Sequence, residues 1–260
     1  SRNSRLLGRI AAYPCKKASR WRKMLRLRQR ETSLMQWVRR VSCCRAVYET
    51  LRQITYGRRE HNFLRYMKTL IINGSPRPAG KISRMLTMAG EIVAGDTEVI
   101  DVYSADIKPC TGCMACRATG VCVLPPDDAH RAAGLIREAD LIIVGTPTYW
   151  ANMSGGLKNL FDRLVPVFMG ETPRGIPVKK LTGKRAIVVT ACTTPFPFNV
   201  ILGQSRGSLR AVCEVLLSGG IKTSSVVIPG TKRMEYIPEK YIARLTALIL
   251  KYKKRFAGMR

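Results

Sequence analysis

The chain has 260 residues, is 46% hydrophobic and carries a formal net charge of +28, so it can hold one large domain or two small ones around a buried core. It contains no run of about 18 apolar residues and no apolar stretch near its N-terminus, so neither a membrane span nor a secretory signal is expected. Nine cysteines, four of them in one short loop, point to a reducing compartment and a cytoplasmic location rather than a disulfide scaffold.

The charge is unevenly spread. Residues 1–66 carry 18 Lys and Arg, 15 of them Arg, against 3 acids, while residues 67–260 carry 27 against 14. In the first stretch Leu34, Val38, Val41, Tyr48 and Leu51 fall near one helical face, which Arg45 interrupts. Three readings stand for it. It is a translated upstream stretch that is not native, with Met67 the natural start; or a basic arm for nucleic acid or anionic lipid; or an Arg-rich, acid-poor targeting segment. The expected division is a basic, partly helical or disordered segment at 1–66 and one domain at 67–260.

From Met67 onward strand and helix patterns alternate. Strands are expected at 68–73, 97–102, 140–145, 185–191 and 223–228, and helices near 81–94, 127–138, 154–165, 204–217 and 238–255. DLIIVGT and RAIVVTA, the third and fourth strands, are continuous apolar runs, as in strands covered on both faces. Five such units imply an α/β fold with a doubly wound parallel sheet, which binds ligands at the carboxyl ends of its strands.

The loop GSPRPAGKIS (74–83) follows the first strand. Its glycines permit tight turns, Ser75 and Ser83 offer hydroxyls, Arg77 and Lys81 offer charge, and the next helix offers unpaired N–H groups. It is a phosphate cradle in type, but neither a Walker A loop nor a G-x-G-x-x-G fingerprint. An ordinary strand-to-helix turn is the plain alternative.

After the second strand comes PCTGCMACRATGVC, with Cys110, Cys113, Cys116 and Cys122 spaced C-x2-C-x2-C-x5-C. Three thiolates in close series and a fourth can enclose a [4Fe–4S] cubane. Zinc sites generally use two separated C-x2-C knuckles, and no second knuckle exists here. A cluster is the leading reading; zinc and redox-active thiols stay open. Asp127-Asp128 beyond the loop reads as a helix N-terminal signal. His130 reads as a surface residue, and two histidines in all cannot support a hydrolase triad.

The third-strand loop, GTPTYWANMSGG, sets Tyr149 and Trp150 where an open sheet exposes its ligand site. The aromatics can cover a planar ring, and Asn152 and Ser154 can reach ring heteroatoms. Packing of the crevice is the alternative. Lys158, Asp162 and Arg163 on the next helix read as a solvated or locally paired face. In ACTTPFPFN (191–199) Cys192 and Thr193 are candidates to line the ligand, with Cys192 alternatively a small buried hydrophobe. Phe196 and Phe198 suit a lid or a subunit contact.

Together GSPR, the cysteine spacing, PTYW and the L-K-x-L-x-D-R of the next helix resemble the flavodoxin-like NADPH-dependent FMN reductase superfamily, and within it the iron–sulfur flavoproteins. The resemblance covers roughly 67–260. It implies a flavodoxin-like five-stranded sheet of order 2-1-3-4-5. It implies FMN held at its phosphate by Ser75, Arg77 and Ser83, and bordered at its ring by Pro147, Thr148, Tyr149, Trp150 and Asn152. Many relatives carry Asn-Thr where this chain has Lys81-Ile82, so one hydroxyl is missing and Lys81 offers charge in its place. The implied activity is an FMN oxidoreductase, linked to NAD(P)H or ferredoxin, with a [4Fe–4S] cluster exchanging electrons with FMN. Its partner is a redox protein or small-molecule acceptor, and the assembly a homo-oligomer, dimer or tetramer. The alternative is a cluster-free NAD(P)H-dependent flavin or quinone reductase. A third reading fuses a nucleic-acid-binding segment at 1–66 to a flavodoxin-like domain.

Overall fold

The computed structural model describes residues 67–258; the expectations for 1–66 lie outside the described residues. The first strand, β1 (Thr69–Asn73), is buried along its whole length. It lies between β2 (Thr97–Asp101) and β3 (Leu141–Pro147), parallel to both. Beyond β3 come β6 (Arg185–Ala191) and β7 (Lys222–Ile228), also parallel, so the five-stranded order is β2-β1-β3-β6-β7. This is the expected 2-1-3-4-5 arrangement. The numbering differs because β4 (Met169–Glu171) and β5 (Pro177–Lys179) form a separate antiparallel hairpin between β3 and β6. At three residues each, mostly exposed, they are too short to show a period.

Alternate residues of each central strand serve opposite layers. Leu70, Ile72, Ile142, Val144, Ala186 and Val188 join one core with α3 (Asp128–Glu138), α4 (Gly155–Arg163) and α7 (Gln204–Ser218). Ile71, Leu141, Ile143, Ile187 and Val189 join the other with α1 (Lys81–Val93) and α8 (Glu239–Ala257). Two apolar faces per strand are why the sequence runs are continuous rather than alternating. Each Leu, Ile or Val side chain among these contributes about 1.5–3 kcal/mol on burial.

Three short helices sit in the connections: α2 (Cys116–Thr119), α5 (Val165–Phe168) and α6 (Phe198–Ile201). The helix expected over 154–165 ends at Arg163, and Pro166 opens the next turn. Pro lacks the N–H that a continuing helix would need. The chain turns to opposite sides of β1 to make β2 and β3, so the loops after β1 and β3 diverge at the carboxyl edge. That opening is the switch point where such sheets take ligands.

Candidate functional site

The loop after β1 is built on its own hydrogen bonds. The Asn73 side-chain amide donates to Ser83 Oγ at 3.2 Å and to Asp101 Oδ2 at 2.9 Å, and its oxygen accepts from the Ser75 N–H at 3.1 Å. The Arg77 carbonyl accepts from Ser83 Oγ at 2.8 Å and from the Gly80 N–H at 2.9 Å. The Arg77 N–H donates to Ser75 Oγ at 3.3 Å. Gly74 must be glycine: a Cβ there would stand 2.8 Å from the Gly145 carbonyl oxygen and 3.0 Å from Leu157 Cβ. The N-terminus of α1 has no side-chain cap, so its first-turn N–H groups are open to an anion. Ser75 and Ser83 are buried, and the Lys81 ammonium donates to the Glu235 carbonyl at 2.7 Å. The exposed Arg77 guanidinium has no hydrogen-bond partner among the described residues.

The loop after β3 is tied to the first. Ser154 Oγ donates to the Gly74 carbonyl at 2.6 Å and accepts from the Leu157 N–H as the N-cap of α4. The Ser154 N–H donates to Thr146 Oγ1 at 3.0 Å. Thr148 is held by its N–H to the Ala191 carbonyl, and its hydroxyl lies 2.8 Å from Ser208 Oγ. Tyr149 and Asn152 exchange backbone hydrogen bonds of 3.0 and 2.8 Å across a tight turn. The two residues between them, Trp150 (φ 50°) and Ala151 (φ 55°), are both left-handed. Such a conformation costs roughly 1–2 kcal/mol per non-glycine residue. It leaves Trp150 fully exposed, with Tyr149 42% exposed beside it. From behind, α7 approaches so closely that a Cβ on Gly207 would lie 2.0 Å from the Ala151 carbonyl oxygen.

After β6, Cys192 is buried, and its thiol donates to the Thr194 carbonyl at 3.4 Å. Burial pushes that thiol up from its ordinary value, so it is a poor nucleophile at neutral pH. Thr193, Phe196 and Phe198 are exposed.

The cysteine loop leaves β2 at the same carboxyl edge. Cys110 and Cys113 are exposed, and Cys116 and Cys122 half-buried. The Cys116 thiol is pushed up by burial and then by Cys122, Cys110 and Cys113, so the other three lie within electrostatic reach of Cys116. Among the described residues no three His, Cys, Asp or Glu side chains stand in metal-binding geometry. The number and softness of the donors suit an iron–sulfur cluster; the thiols are not drawn round a common centre.

Beneath this loop lies a buried ion pair. Lys158 and Asp162 form the local pair that the reading of a solvated or locally paired face allowed, but Arg163 is shielded from solvent and grips Asp127, 36 residues away, with bonds of 2.6 and 3.1 Å. The guanidinium also donates to the Lys108 carbonyl at 2.7 Å and, through Nε, to Cys122 Sγ at 3.1 Å. Asp127 caps α3 by accepting from the Ala129 N–H at 3.1 Å. Burial alone pushes the Asp127 carboxyl up. Hydrogen bonds from Arg163 and the Lys108 N–H outweigh this and hold it below the ordinary carboxylate range. His130 is half-buried rather than freely exposed, and its Nε2 stands 3.0 Å from the Cys122 carbonyl oxygen. A carbonyl only accepts, so Nε2 carries the proton.

Residues 67–220 match the NADPH-dependent FMN reductase family. The chain belongs to that family. Its similar relatives include an iron-sulfur flavoprotein of Archaeoglobus fulgidus, 39% identical over 106 residues, which are 40% of this chain and 52% of the relative. One of Methanosarcina thermophila is 35% identical over 102 residues, 38% of this chain and 53% of the relative. The matches thus span about half the length of these curated relatives. Among solved structures, an FMN-dependent NADH-azoreductase of Bacillus anthracis in complex with FMN has TM-score 0.52 at 17% identity, covering 73% of this chain and 99% of that one. An NADH:FMN oxidoreductase in its apo form has TM-score 0.50 at 19% identity, covering 73% and 89%. These two likenesses show the fold.

In this FMN reductase family member, Ser75, Arg77, Ser83, Pro147, Thr148, Tyr149, Trp150, Asn152, Cys192 and Thr193 all lie at or beyond the carboxyl ends of β1, β3 and β6. Not all of them present a side chain outward. Ser83 is committed to the Arg77 carbonyl, Lys81 to Glu235, and Asn152 Oδ1 to the Met153 N–H at 2.8 Å. Arg163 and His130 were legible only as ordinary helix residues. Arg163 stands three residues after Leu160, on the buried stripe of α4, and that spacing was the available signal.

Proposed function

We propose that the chain is an FMN-dependent oxidoreductase whose cysteine loop carries a [4Fe–4S] cluster that exchanges electrons with the flavin. The observation that carries the flavin is the first loop. Its backbone is locked, its helix N-terminus is uncapped, and its one unpartnered side-chain charge is Arg77. That is an anion site at the switch point of the sheet. Arg77 and the first N–H groups of α1 would hold the FMN phosphate, with Ser75 shaping the turn. Pro147, Thr148, Tyr149, Trp150 and Asn152 would border the ring, with Cys192 and Thr193 at its far side. FMN supplies hydride and electron transfer, while the protein supplies position and electrostatics.

Cys110, Cys113, Cys116 and Cys122 would ligate the cluster, one per iron. The names of the curated relatives and the four soft thiol donors within one loop support this. The donor would be NAD(P)H or a ferredoxin-type protein, and the acceptor a redox partner or small molecule. Assembly as a homo-oligomer and a cytoplasmic location belong to the same reading. The described residues contain no helix long and apolar enough to cross a membrane. A second reading, a cluster-free flavin or quinone reductase, is favoured by the exposure of Cys110 and Cys113 as thiols. Nucleic-acid binding by 1–66 remains a separate proposal on its charge alone.

Anaerobic purification with flavin, iron and sulfide analysis tests both. About one FMN and four iron per chain are expected, in a brown protein. A yellow protein with FMN and no iron leaves the second reading. A colourless chain that takes up no FMN overturns both.

A further inference from the structure

We infer that Arg163 is the positioning residue for Cys122: its buried guanidinium, clamped by Asp127, places the Cys122 sulfur and tunes any cluster that this sulfur ligates. The inference rests on the cluster reading above. Cys122 is the cysteine that the spacing serves least. Two residues separate each of the first three ligands, but five separate Cys116 from Cys122. The longer segment must be held from outside, and the structure holds it twice. Arg163 Nε donates to the sulfur at 3.1 Å, and His130 Nε2 donates to the carbonyl at 3.0 Å.

Among the described residues no other cysteine sulfur accepts from a charged side chain. Cys110 Sγ accepts only the Gly112 N–H, at 3.4 Å. A purely structural ion pair would need only the two Asp127 contacts. The Arg163 side chain is instead turned so that both Nη atoms serve Asp127, Nη1 also serves Lys108, and Nε is left to the sulfur. Its own solvent exposure is 0%, and that of the Asp127 side chain is 1%, so the donor is fixed and water does not compete. A hydrogen bond and a positive charge on a ligating sulfur favour the more negative, reduced cluster. Removing them shifts the reduction potential downward.

The test uses the full chain as wild type, Arg163→Gln and Arg163→Lys. Each is reconstituted anaerobically with ferrous iron, sulfide and FMN. FMN and iron per chain are measured, with the cluster potential by redox titration. Arg163→Gln is expected to bind FMN, to lose at least about half its iron and to shift the remaining cluster downward. The shift corresponds to about tenfold in the reduced-to-oxidised ratio, about 59 mV for one electron. Arg163→Lys keeps the charge beside Asp127 and should fall between wild type and Gln. Should Arg163→Gln not fold, the Asp127→Asn/Arg163→Gln pair, which leaves no stranded carboxylate, takes its place with the same readouts. Wild-type iron and potential in the folded variant overturn the inference. So does lost iron with an unmoved potential, which reduces Arg163 to a packing residue. Wild type that holds FMN but no iron or sulfide overturns the cluster reading itself, and this inference with it.

Discussion

Arg77 sits on a loop whose backbone is already fixed by Ser75, Gly80 and Ser83, so its side chain can be removed without unfolding the turn. A charge-assisted hydrogen bond to a phosphate contributes on the order of 1.5–3 kcal/mol. Arg77→Ala should therefore weaken FMN roughly ten- to a hundred-fold, and should leave riboflavin, which has no phosphate, nearly unchanged. Fluorescence titration of both ligands checks this, and equal weakening would mean the loop does not hold a phosphate. Trp150 poses the complementary case. Its ring is fully exposed and supports nothing in the fold, yet its backbone is held left-handed. Trp150→Ala should leave the thermal midpoint of the flavin-free chain within a degree or two. It should weaken FMN by about 0.5–1.5 kcal/mol, the usual value of an aromatic contact. A large loss of stability with unchanged affinity would show that the ring packs rather than binds.

At the scale of elements, the junction of α3 and α4 joins the sheet to the cysteine loop through one ion pair. The folded-state pKa of Asp127 lies below its ordinary value of 3.8. A carboxyl depressed in this way stabilises the fold above its unfolded pKa, and that contribution is lost as pH falls through the folded value. Stability should thus drop below pH 3.8, and Asp127→Asn should flatten that acid limb. At neutral pH the same variant strands a buried guanidinium and should cost about 3–5 kcal/mol. Denaturant curves of both chains between pH 2 and 7 read the two effects; parallel acid limbs would count against Asp127. The start of α3 was legible because Asp127 is an N-cap and caps act locally. Arg163 was not, because its burial depends on a partner 36 residues away. The β4–β5 hairpin was too short to pattern. The Tyr149–Asn152 turn was hidden because Trp-Ala stands where Asn-Gly is the usual signal. The strands were legible because each central one buries both faces within a single uninterrupted apolar run.

At the scale of the molecule, the question is where the folding unit begins. The five parallel strands, both cores and every loop at the carboxyl edge lie within the described residues. Met67 packs against one core, the Lys68 N–H donates to Asp140 at 3.0 Å, and the Lys68 ammonium meets Glu138 at 2.8 Å. These contacts close the amino end of the sheet just before β1. A chain of residues 67–260 should therefore fold alone, bind FMN with the affinity of the full chain and unfold in one transition. Starting at Leu70 instead removes Met67, Lys68 and the first pair of β1 with β2 and β3. That shorter chain should lose stability by a few kcal/mol, in line with the burial and hydrogen bonds removed. Removing 1–66 also removes 18 of the 45 basic residues, so any salt-dependent retention on DNA should fall with it. Circular dichroism, urea unfolding and flavin titration of the two shortened chains decide the boundary. If the 67–260 chain is unfolded or takes up no flavin, the first 66 residues are part of the core that holds the site.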